Sequence, residues 1–159
     1  LETLVRVYLE KQGYLVRSNI MFDVNKELDI MALKQDEIIL GTCRTNLGRR
    51  LERDINFVRK SFFELAHRAI KRVYSKEFAN ARVRYVTYYI EKIGKEIEKQ
   101  KEACVELISA KEILEFLLDW WRKRVSKSAP GPRAFDQTDW FVKLLARLES
   151  NSELKVSFS

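Results

Sequence analysis

The sequence predicts an α/β fold in which a mixed sheet carries helices on both faces. Three strand-like runs with short links early in the chain read as an antiparallel meander. A long amphipathic helix and a returning strand follow, giving the order α-β-β-β-α-β-α-β-α. Residues 1–12 place Leu4, Val5, Tyr8 and Leu9 at helical spacing, and Gly13 is a natural terminator. Residues 14–22 are rich in β-branched and aromatic side chains and read as a strand, with a turn at 23–26. Two more strands, 27–33 and 37–45, flank Lys34, Gln35 and Asp36.

Residues 51–75 form the clearest helix, because Leu51, Ile55, Val58, Phe62, Leu65, Ala69 and Val73 recur at steps of three and four. His67 falls on its polar side, without a catalytic duty. A strand at 82–90, a short charged helix at 94–102 and a fifth strand at 104–109 come next. The last helix of the core, 111–125, turns Ile113, Leu114, Leu117, Leu118 and Trp121 inward, with Ser109 as N-cap and Glu112 as its capping-box partner. Only 126–134, SKSAPGPRA, looks like a linker, and Trp140, Phe141, Leu144, Leu145 and Leu148 mark an amphipathic helix beyond it. The expected organisation is a domain at 1–125, a linker at 126–134 and a C-terminal helical extension at 135–159.

Composition narrows the partners. The net charge of +7 makes an anionic partner the natural expectation, nucleic acid first and an acidic protein after it. Two cysteines and one histidine, with no Cys-x-x-Cys pair, argue against a zinc site of the usual kind. Cys43 and Cys104 each fall in an apolar run and read as small core residues, so no disulfide framework is expected and an intracellular (cytoplasmic) location is. No apolar run is long enough to span a bilayer, and no signal peptide is visible. The chain opens without a methionine and already in a helical pattern, so its natural start is expected to lie upstream. Abundant Lys and Glu with few Gln and Asn give a thermophile-like, archaeal-like profile.

Four segments in order resemble one family. LETLVRVYLEKQGYLV is similar to an opening helix with a glutamate, here Glu2; ELDIMAL to a strand carrying a metal-binding aspartate, here Asp29. IILGTCRTN stands in the place of a Glu-x-Lys strand, and CVELISAKEILEFL in that of a closing strand and helix. Together, over residues 1–124, they resemble the PD-(D/E)XK nuclease superfamily, nearest to its archaeal Holliday-junction resolvase and Mrr-type branch. The resemblance implies a restriction-endonuclease-like fold: a mixed central sheet with an α-β-β-β-α-β core, flanked by helices, plus the C-terminal helical extension. It also implies a Mg²⁺-dependent endodeoxyribonuclease activity and a dimer.

Such chemistry needs a divalent cation beside the scissile phosphate, to stabilise charge and lower the pKa of the attacking water. Magnesium takes hard oxygen ligands, which two carboxylates on neighbouring strands supply. Asp29 fits the first role and is the candidate metal ligand. Thr42 stands where the second carboxylate belongs and Arg44 where the lysine belongs. Threonine is a weak neutral ligand, and arginine stays protonated, so it can grip phosphate but cannot serve as a base. The expectation is therefore a nuclease-like scaffold with a vestigial or rearranged catalytic set, Glu2, Asp29, Thr42 and Arg44. Glu27, which shares strand parity with Asp29, and Glu64 on the next helix are the possible substitute carboxylates.

Residues 44–72 hold nine basic side chains against three acidic ones, most of the chain's excess. Arg44, Arg49, Arg50, Arg53, Lys60, Arg68, Lys71 and Arg72 are the candidate nucleic-acid contacts, with DNA favoured over RNA. Three functions compete: a catalytically impaired nuclease homologue that binds phosphate backbone, an active Mg²⁺-dependent junction resolvase with a rearranged site, and a protein-interaction scaffold with a basic face. A homodimer, or an assembly with an active partner, is expected in the first case, and no membrane is involved. Without catalysis no cofactor is needed.

Overall fold

The computed structural model describes residues 1–48, 55–90 and 93–125. The chain divides into two compact units, Leu1–Ala110 and Lys111–Ser159. The expected linker and the C-terminal helix lie outside the described residues.

The first unit is a mixed α/β structure. Helix α1 (Glu2–Lys11) leads into strands β1 (Leu15–Asp23), β2 (Lys26–Lys34) and β3 (Glu37–Arg44). A single 3₁₀ turn (Asn56–Val58) precedes α2 (Lys60–Val73), then come β4 (Arg82–Tyr89), α3 (Lys95–Gln100) and β5 (Val105–Ser109). Helix α4 (Ala110–Val125) belongs almost wholly to the second unit, and its Ile113 and Leu117 are buried. The five strands lie in sequence order, antiparallel from β1 to β3 and parallel from β3 to β5. The parallel pairs arise because β4 and β5 each return after a helical crossover.

The core on one sheet face joins Leu28, Met31, Ile38, Leu40, Tyr85 and Val105 to Phe63, Ala66 and Ile70 of α2. These α2 residues correct the predicted stripe. Val73, expected inside, is 75% exposed. Arg59 has an extended backbone (φ −101°, ψ 137°) and breaks the run of helix, so the positions before it do not fix the phase of those after it. The freed amide of Lys60 donates to the Glu102 carboxylate at 3.1 Å, which caps α2 from a distant loop. His67, expected on the polar side, is half-buried: its ring packs on Phe78 and its Nδ1 lies 3.2 Å from the Tyr85 hydroxyl. Cys104, expected in the core, is exposed because β5 begins one residue later, and Cys43 is half-buried.

Strands β1 and β2 change phase together. Ile20 and Phe22 pack on the α2 side, and so do Leu28, Met31 and Leu33. Leu15 and Arg17 pair with Leu33 and Met31, which places them on that side as well. Alternation would forbid one face from holding 17 and 20, or 28 and 31. The break falls at Asn19, whose φ of 58° is left-handed, and opposite it at Asp29. It turns Asp29 out of the regular pattern, which matters for the site.

Candidate functional site

Asp29 is 9% exposed near the end of the β2–β3 ladder. One of its carboxylate oxygens accepts the backbone N–H of Cys43 at 2.5 Å. Burial raises its pKa above the ordinary carboxylate range. The Cys43 N–H and the Arg44 guanidinium oppose that rise, while the charges of Glu2 and Glu27 add to it. Of the expected site residues, the fold thus brings Glu2, Glu27 and Arg44 within electrostatic reach of Asp29. Burial also pushes the Cys43 thiol up, with Asp29 and Glu2 contributing, so Cys43 is a thiol and not a nucleophilic thiolate.

Thr42 and Arg44 take different surroundings. Thr42 is fully buried, and its hydroxyl bonds to that of Thr87 at 3.4 Å. Thr87 in turn donates to the Phe57 carbonyl, tying β3 and β4 to the 3₁₀ turn. Arg44 lies with Cζ 3.5 Å from the centroid of the Phe57 ring, a close cation–π stack. Its Nε is buried and has no hydrogen-bond partner among the described residues. The same turn therefore receives Thr87 through its backbone and Arg44 through its ring. Neither Phe57 nor Thr87 had a signal in the sequence, since both act through pairing across the β3–α2–β4 crossover.

Glu64 sits apart, paired with Lys60 at 3.2 Å on α2. Lys60, Arg68, Lys71 and Arg72 are all exposed on that helix, and the Arg68 Nε reaches back to the Glu64 carbonyl at 3.4 Å. Arg49, Arg50 and Arg53 lie outside the described residues. Among the described residues, no group of three or more Asp, Glu, His and Cys side chains could hold a metal ion, and no helix is long and apolar enough to cross a membrane.

No family model matches the chain, and no curated protein matches it either. Among solved structures, the crystal structure of a protein of unknown function, AF1548, is similar with a TM-score of 0.45. The two are 14% identical, over 94% of this chain and 75% of that one. A likeness of that degree carries no argument about either fold or function.

Proposed function

We propose that the chain is a nucleic-acid-binding, nuclease-like domain of restriction-endonuclease-like fold whose cutting is lost or crippled. The observation that carries this reading is the state of Asp29, the one buried acid among the described residues. Asp29 has a carboxylate oxygen occupied by the Cys43 amide, and burial favours its neutral form. A divalent cation does not fit this donor set. Thr42, the position from which a second ligand would come, is buried against Thr87, and a fixed cation, Arg44, already neighbours Asp29. The basic residues on α2 carry no sequence code, so they support phosphate contacts of low sequence preference.

The test is binding and cleavage on the same DNA. Duplex and four-way-junction DNA are titrated across a salt series, then incubated with magnesium or manganese. Four or five phosphate contacts give a slope of about −3.6 to −4.5 in log K against log salt. Reversing the charge of Arg68, Lys71 and Arg72 should flatten that slope. No retention of DNA at low salt would favour the scaffold reading. Metal-dependent cutting that disappears in Asp29→Ala would restore the enzyme.

A further inference from the structure

Among the described residues, no strand pairs with the outer side of β1. β1 is the outermost strand and runs nine residues, against five for β5 at the other edge. Exposed apolar side chains gather along it: Leu15 is 67% exposed, Met21 61% and Val24, just past its end, 82%. The strand contains no proline and no lysine, and its guards are confined to Arg17, Asp23 and a register shift between Met21 and Asp23. Such an edge offers a row of unpaired backbone groups to another strand.

The phase change at Asn19 selects the occupant. A straight strand with unbroken alternation, laid along β1, would match its facing on one side of Asn19 and put every side chain on the wrong face beyond it. Only a strand with the same break in the same place matches throughout. A second β1, antiparallel about a point between Ser18 and Asn19, has that break. It sets Leu15 opposite Phe22 and Arg17 opposite Ile20, all on the α2 face. It sets Val16 opposite Met21 on the other face. Both pairings bring an exposed apolar residue, Leu15 or Met21, against an apolar partner.

We infer that β1 is a self-complementary edge through which two copies of this chain join their sheets into one of ten strands. A cavity supports the register. About 240 Å³ in volume, it lies on the α2 face, where Leu15, Leu33, Ile38, Tyr74 and Arg17 are among the residues that line it. Arg17 is held there by the Tyr74 hydroxyl at 2.7 Å. In the paired sheet the second copy's Phe22 stands beside Leu15 at the mouth of this cavity, with its ring one diagonal step from Arg17. The pairing engages none of Glu2, Glu27, Asp29, Thr42 and Arg44, so its failure and the failure of the nuclease-like reading are distinguishable.

Sedimentation equilibrium of the full chain over a range of concentrations tests the dimer. The expected result is a concentration-dependent species of twice the single-chain mass. Leu15→Lys with Met21→Lys should raise its dissociation constant at least tenfold, with an unchanged circular dichroism spectrum, because both side chains are exposed in the single chain. The register is tested by Val16→Cys with Met21→Cys in a Cys104→Ser background. Directly opposed residues have Cβ atoms about 4.5–5.5 Å apart, so oxidation should give a covalent dimer. Val16→Cys alone, in the same background, should not. A single-chain mass at every concentration would overturn the proposal, as would a dimer unaffected by the two lysines. A cross-link from Val16→Cys alone would overturn the register.

Discussion

Replacing Asp29 by asparagine should stabilise the protein at neutral pH. Asparagine keeps the shape and keeps an oxygen for the Cys43 amide, so no buried donor is orphaned. What it removes is a negative charge. Burial and the charges of Glu2 and Glu27 disfavour that charge, while the Cys43 amide and Arg44 favour it. The net direction is a raised pKa, so the folded state holds the Asp29 proton more tightly than the unfolded chain does. Such a group contributes stability that is complete below its unfolded pKa and is lost as pH rises through the folded one. As the pH rises through the folded pKa the wild-type protein loses that contribution, whereas the asparagine variant, which has no proton to lose, keeps it at every pH. The gain should be on the order of 1 kcal/mol, typical of a favourable substitution at a site poised for function. For a chain of this size that is a melting temperature about 2–4 °C higher. Thermal unfolding followed by circular dichroism at pH 7 and again below about pH 3, where an ordinary aspartate is protonated, measures it. The difference should vanish at the acid end. A variant less stable at pH 7, or one with the same gain at both pH values, would refute the electrostatic reasoning.

Phe63→Ala should cost about 3–5 kcal/mol in urea unfolding, because Phe63 is fully buried beneath the sheet and stacked on Tyr85. Gly41→Ala should cost about 1–3 kcal/mol, since a Cβ there would stand 2.9 Å from Cε2 of the Tyr88 ring, itself immobilised in the core. Arg84→Met should remove much of the acid limb of the stability profile. Arg84 bonds Glu106 at 2.6 and 2.8 Å and Glu37 at 3.2 Å. The Glu106 pKa is lowered chiefly by the Arg84 hydrogen bonds, and that of Glu37 by the Tyr14 hydroxyl and then by Arg84. Their stabilisation is therefore present above the ordinary carboxylate range and is lost as pH falls, and a midpoint of unfolding that still drops as steeply in the variant would contradict this.

Much of the element order was legible because it rests on local signals. The meander is written in three runs of β-branched and aromatic residues, and Gly13, with its φ of 88°, ends α1 as a terminator should. What could not be read were features that depend on pairing. The inward face of α2 was assigned from residues on both sides of Arg59, and periodicity carries no warning that the backbone there is extended. The phase change at Asn19 and Asp29 needs two strands at once, and it is what brings Asp29 toward Glu2 and the Cys43 amide. Glu2, Asp29 and Arg44 were found as members of one neighbourhood, but the stack of Arg44 on Phe57 and the burial of Thr42 on Thr87 emerge only from the folded crossover.

The two ends of β3 differ in how far their polar groups satisfy one another. They are roughly 23 Å apart along an extended strand. At the Glu37 end the polar groups satisfy one another: Tyr14 donates to Glu37, Arg84 bridges Glu37 and Glu106, and burial with the Glu37 contact pushes the Tyr14 pKa up to about 12. At the Arg44 end they do not. Arg44 keeps a buried Nε without a hydrogen-bond partner among the described residues, and burial disfavours the charged form of Asp29. A sheet that completes one polar network has the means to complete another, and an unsatisfied buried donor costs about 1–3 kcal/mol. On the reading proposed above, this less satisfied end of the sheet is where a phosphate contact through the Arg44 guanidinium would fall.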